Sequence, residues 1–80
     1  MYLITKTAKK QLDSLPTSVQ ERVHRVLAQL ETDPTLGWQL KGKLYGKRSI
    51  GVGRAYRMIF QRDSAHITIL AIVHRKDAYR

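Results

Sequence analysis

Eighty residues carry fifteen Lys and Arg against six Asp and Glu, a formal charge of +9, and this excludes a charge-balanced or acidic surface. A hydrophobic fraction of 42% is enough for a packed core and argues against disorder, and the length allows one domain, residues 1–80, near the lower limit of what folds alone. Disulfides and thiolate zinc sites are excluded because the chain has no cysteine. The start, Met1 to Lys6, has too short an apolar run for a signal peptide, and no stretch reaches membrane-spanning length. A soluble cytoplasmic protein with no membrane partner, metal or cofactor is expected. The charge implies a polyanionic partner, or an acidic protein that covers the same surface. A generally basic, solvated surface is the plainer alternative. The basic residues do not gather on one long amphipathic helix, which disfavours a membrane-surface role.

Tyr2, Leu3 and Ile4 read as a first short strand. Thr5 or Thr7 can cap a helix, a side-chain oxygen accepting from a free backbone N–H. Ala8, Leu12 and Leu15 then share one helical face, and Pro16 stops the helix. A second helix follows. Thr17 with Gln20, or Ser18 with Glu21, predicts a capping box. Val19, Val23, Val26, Leu27 and Leu30 form its apolar stripe, while Gln20, Glu21, Arg22, His24 and Arg25 fall mostly on the polar face. Asp33-Pro34 ends it. So short a connection between two helices predicts an antiparallel hairpin.

Pro34, Gly37, Gly42 and Gly46 punctuate a loop over residues 34–46, with Trp38, Leu40 and Leu44 expected to anchor it. Lys41 and Lys43 flank Gly42; phosphate contact and simple solvation are both open for them. From Lys47 to Phe60 the chain reads as two basic strands broken at Gly53. Arg54, Tyr56, Met58 and Phe60 alternate with Ala55, Arg57 and Ile59, a period of two that fits a strand with one face to bury. Residues 61–65 read as a hairpin turn. The run from His66 to Val73 is almost wholly apolar and β-branched, which predicts a strand interior to the sheet. The order β-α-α-β-β-β predicts a small α+β domain. Its sheet is mainly antiparallel, with the helical hairpin on one face and the other face at least partly open.

These elements carry motifs in an order that resembles the RelE/ParE superfamily of bacterial toxin–antitoxin toxins, across nearly the whole chain. The motifs are a Lys-rich first helix, Leu15-Pro16-Thr17-Ser18-Val19, Leu40-Lys41-Gly42, Tyr56-Arg57-Met58-Ile59-Phe60, and the closing His74-Arg75-Lys76-Asp77-Ala78-Tyr79. The resemblance implies one of two activities. RelE-like members are mRNA interferases, endoribonucleases that cleave messenger RNA in the A site of the ribosome; ParE-like members bind and poison DNA gyrase. In both, a cognate antitoxin protein wraps the toxin in a hetero-oligomer. The closing motif looks more like RelE-type sequences, so RNA cleavage and inhibition of translation are the leading expectation. A catalytically weakened RNA-binding or antitoxin-binding homologue is the further alternative.

RNA cleavage needs a deprotonated 2′-OH, a stabilised pentavalent phosphate and a protonated 5′-oxygen. No His/Glu pair is evident for the proton transfers, since His24 and both glutamates, Glu21 and Glu31, lie on the second helix, His66 at a turn and His74 at a strand end. Chemistry would rest on Arg, Lys and Tyr, and arginine is a fork for phosphate rather than a proton carrier. By position in the motifs, the resemblance makes Arg57 the clamp on the scissile phosphate. Arg75 would stabilise the leaving oxygen, Tyr79 would stack on a base or orient the phosphate, and Arg48 takes the place of a catalytic Lys or Arg. Lys41, Lys43 and Lys47 would hold backbone phosphates, with Arg54 a further basic candidate. The plain alternatives are a solvated or Asp77-paired Arg57, a packing Tyr79 and a core Tyr56. The family's arginine before the middle-strand Val-Gly is missing: Gly51 or Val52 stands there.

Overall fold

The computed structural model describes residues 2–33, 35–42, 46–63 and 66–77. Strand β1 is Tyr2–Ile4, helix α1 Lys6–Asp13, helix α2 Thr17–Thr32, β2 Trp38–Gln39, β3 Arg48–Val52, β4 Tyr56–Arg62 and β5 Ile67–His74; a 3-10 turn, Arg75–Asp77, follows. The strands form one sheet in the order β1-β5-β4-β3-β2. All pairs are antiparallel except β1 with β5. The α+β domain with its helical hairpin is as expected. The addition is β2, a two-residue strand inside the segment read as loop. It is too short for a period-two signal and forms because Trp38 and Gln39 lie opposite Ser49 and Arg48.

Thr5, rather than Thr7, caps α1: its hydroxyl accepts from Ala8 N at 3.1 Å and donates to Leu70 O at 3.2 Å. That second bond has a structural cause. β1 covers only residues 67–69 of β5, so the rest of that β5 edge would carry unmet backbone groups. Thr5 N donates to Ile69 O, and Gln11 Oε1 accepts from Ile72 N at 2.8 Å. Helix α1 thus continues the work of β1 along the strand. A bulge sits here too, since Ile59 faces Ala71 while Phe60 faces Ile69.

The capping box expected at α2 does not form. Pro16 is the N-cap and no side chain caps the helix. Its carbonyl accepts from Val19 N and Gln20 N, and the Gln20 amide turns back to donate to Leu15 O at 3.0 Å. At the other end Asp33 accepts from Thr35 N at 3.1 Å and Thr35 Oγ1 at 2.6 Å. These bonds, led by the hydroxyl, hold its carboxyl below the ordinary value. Their contribution is present above the usual carboxylate pKa and fades as pH falls through the lowered one.

The apolar stripes of both helices meet one sheet face. Ala8, Leu12, Val23, Leu27 and Leu30 pack with Val52, Met58, Phe60, Ile67, Ile69 and Ile72. Phe60, Met58, Ile69 and Leu30 have no accessible surface. For so small a core the loss of one large side chain is severe. Phe60→Ala should cost about 3–5 kcal/mol, a large part of the roughly 5–15 kcal/mol typical of a whole domain. Urea denaturation should show it as a lower midpoint or as loss of the folded baseline.

Candidate functional site

Burial of Met58 and Phe60 decides where the basic residues point. Val52 faces Tyr56, Ile50 faces Met58 and Arg48 faces Phe60 across the β3–β4 ladder, all on the helix side. The alternate pairs, Gly51 with Arg57 and Ser49 with Ile59, project to the other face. On β5, Val73 and Ala71 lie opposite Arg57 and Ile59 and join that face; Trp38, opposite Ser49, joins it from β2.

There Arg57 meets Trp38. Its guanidinium carbon lies 4.6 Å from the centroid of the indole ring, a cation–π contact between β4 and the edge strand β2. At an exposed site such a contact contributes about 0.5–1 kcal/mol. The arginine reaches across Gly51: a Cβ placed on Gly51 would lie 3.5 Å from Arg57 Nη1. Gly51, one of the two positions at which the resemblance leads one to expect an arginine, is thus the residue over which Arg57 lies. Trp38, expected to pin its loop, is instead 53% exposed. Leu40 does the anchoring: it is buried, and its N–H donates to Lys47 O at 2.8 Å.

Arg48 does not join Arg57. It lies in the opposite register, on the helix side. Its Nη2 donates to the carbonyls of Thr35, Leu36 and Gly37 at 3.2, 3.4 and 2.9 Å. Its Nε is buried with no partner. An arginine engaged with three carbonyls holds the loop that delivers Trp38, and this is where the structure places the residue that motif position made a catalytic candidate. Gly37 completes that loop. It has φ +81°, and a Cβ there would lie 2.7 Å from Ser49 O.

Arg75 opens the 3-10 turn two residues beyond Val73, with its N–H on Ala55 O at 2.7 Å, and its side chain is exposed. Lys41 is exposed and Lys47 partly so. Lys43, Leu44 and Tyr79 lie outside the described residues. Arg54 sits in the β3–β4 turn, away from Arg57. It lines a depression of about 320 Å³ with Ser18, Arg22, Val52 and Tyr56. Arg22, read as a polar-face helix residue, lies against Gly53, whose φ is +64° and whose added Cβ would be 2.7 Å from Arg22 Nη1. No helical periodicity could have revealed that approach.

The Arg57 face has little capacity for proton transfer. Its strand residues include no His, Asp or Glu. His74 is on the helix side, edge-on to Tyr56 at 5.5 Å, with Nδ1 accepting from Lys76 N at 3.3 Å. Among the described residues no group of three acidic or imidazole side chains is placed to hold a metal ion. None of the helices described is long and apolar enough to cross a membrane. The face offers a guanidinium and an aromatic ring, which suit an anion and a planar group.

Residues 2–79 match the family described as ParE toxin of the type II toxin–antitoxin system, parDE. The chain belongs to this family, within the RelE/ParE superfamily of type II toxin–antitoxin toxins. Among solved structures it is similar to the toxin–antitoxin complex RelBE2 from Mycobacterium tuberculosis, with a TM-score of 0.84 and 28% identity over 94% of this chain and 96% of that one. It is also similar to the RelB–RelE complex from Methanococcus jannaschii, with a TM-score of 0.71 and 25% identity over 96% and 94% of the two chains. The YoeB/ParE toxin from Agrobacterium tumefaciens shares the fold, with a TM-score of 0.82 at 12% identity over 92% and 96%. A search of curated proteins finds no match.

Two substitutions probe how the site is built. Gly51→Val sets a Cβ in contact with Arg57 Nη1 and adds two methyl groups beyond it on the path the side chain takes, so the guanidinium should leave the ring and Trp38 emission should become more accessible to acrylamide. Arg48→Ala removes a charged donor from three carbonyls and should lower stability by about 1.5–3 kcal/mol, read from the urea midpoint, while also freeing Trp38.

Proposed function

We propose that this toxin is an endoribonuclease that cuts messenger RNA in the ribosomal A site and so halts translation, and that a cognate antitoxin restrains it in a hetero-oligomer. The observation that carries the reading is Arg57 beside an exposed indole on the sheet face the helices leave uncovered. The net charge of +9 favours a polyanionic substrate and an acidic restraining partner alike. The similarity at 25–28% identity to proteins solved as RelB–RelE complexes supports it.

In this reading the substrate's 2′-oxygen attacks the adjacent phosphorus. The P–O5′ bond breaks, leaving a 2′,3′-cyclic phosphate and a 5′-hydroxyl. Arg57 holds the non-bridging oxygens as charge builds on them, and Arg75 stabilises the departing 5′-oxygen. Lys41, Lys43 and Lys47 hold flanking phosphates, and Tyr79 orients the substrate. Arg48 acts through the loop it holds rather than on the phosphate. With no imidazole or carboxylate among the described strand residues of the face, water takes up the 2′-proton and supplies the proton to the 5′-oxygen. Such a site is slow on free RNA, and a ribosome that sets the 2′-oxygen in line supplies what the chain lacks.

Arg57→Ala and Arg75→Ala should each lower cleavage on programmed ribosomes by more than about tenfold, since one charged transition-state donor typically contributes several kcal/mol. Thermal stability should change little. After induction in cells, messenger RNA ends should map within translated frames.

The match to the ParE family model favours a second reading, a toxin that binds DNA gyrase without chemistry of its own. Intact transcripts together with loss of gyrase supercoiling, relieved by antitoxin, would select it.

A further inference from the structure

Trp38 is the chain's single tryptophan, and more than half of its surface is open to solvent. It stands outside the core cluster, on a two-residue strand at the edge of the sheet. Considerable structure nonetheless fixes its position. Arg48 holds the carbonyls of residues 35–37 just before it, and Gly37 turns the chain where no side chain fits. Leu40 is tied to Lys47 just after it. The ring stands beside Arg57, which reaches it across the bare backbone of Gly51.

We propose that Trp38 is a nucleobase-stacking platform that positions the substrate nucleotide whose phosphate Arg57 grips. This deepens the endoribonuclease reading and rests on it. A nucleotide presents a flat, weakly polar base and an anionic phosphate joined through a sugar. The site presents an indole and a guanidinium in contact. Guanidinium pairs with phosphate as a fork, and indole stacks on any base because every base has a π-face. An apolar peptide side chain would satisfy the ring but would leave the arginine without an anion. A duplex would bury its bases away from the ring, so the occupant is a single-stranded nucleotide. The ring sets where the base lies and therefore which phosphate meets Arg57. Trp38 is thus a positioning residue, not a catalytic one.

Because the tryptophan is unique, its fluorescence reports on the site directly. The wild-type protein is titrated with a 2′-O-methyl oligoribonucleotide, which cannot be cut because its nucleophile is blocked, and with an abasic oligomer of the same length and charge. The base-bearing strand should quench the emission and the abasic one should not. On programmed ribosomes, Trp38→Phe should keep most of the cleavage. Trp38→Leu keeps apolar bulk but has no π-face, and it should raise KM by about 5- to 100-fold with a smaller change in kcat. A role confined to covering the sheet predicts the reverse, Leu tolerated as well as Phe. Equal quenching by the abasic strand, or unchanged cleavage by Trp38→Leu, overturns the platform while the nuclease reading stands. Trp38→Leu that cuts normally but loses antitoxin binding makes the ring a protein contact and overturns it too. Wild-type protein that cuts nothing on ribosomes overturns the nuclease reading, and the platform with it.

Discussion

The pleat of β4 under the helices is the constraint on which the rest depends. Met58 and Phe60 are wholly buried because the stripes of α1 and α2 must be covered. A strand alternates, so Arg57 and Ile59 are committed to the opposite face. A slip of one residue would bury a guanidinium and expose a phenyl ring. The energy that holds the core together is therefore the same energy that aims Arg57 outward. The placement is firm although the arginine makes only a weak contact of its own.

A second, smaller device places the ring beside it. The segment before Trp38 packs against the core through Leu36, and polar links add to that packing. Arg48 contributes a charged donor from beneath, and Gly37 permits a backbone turn that would push any Cβ into Ser49 O. Two arginines of one hairpin thus act on opposite sides of the sheet. Arg48 stabilises the support, and Arg57 faces the solvent and whatever binds there. The same economy appears at the β5 edge, where Thr5 and Gln11 of α1 satisfy backbone groups that the three-residue β1 cannot reach.

The chemistry of the exposed face is narrow. It combines positive charge and an aromatic surface with no imidazole or carboxylate among its strand residues, so it is suited to holding and polarising rather than to moving protons. His74 illustrates the division. It stands next to the Arg75 of the closing motif yet packs edge-on against Tyr56 on the helix side.

Much of the fold was legible because periodicity reports burial. The stripe from Val19 to Leu30, the alternation from Tyr56 to Phe60 and the apolar run of β5 each appear in the structure, whereas Arg54, read as the first residue of that alternation, lies in the turn before β4. Arg57 was legible for the same reason, since a residue that alternates with Met58 has one place to go. Capping at α2 was misread because Thr17 and Ser18 offer hydroxyls in the right order while Pro16 and Gln20 already satisfy the local groups. Residue order alone determined the element sequence apart from the two-residue β2, the basic character and which strand residues oppose the core. Only the tertiary structure decided that Arg48 holds a loop, that Arg22 lies over Gly53, and that Trp38 stands beside Arg57. These are contacts between segments that fold together from 11 to 31 residues apart, at distances set by strand order and backbone turns, and no local pattern encodes them.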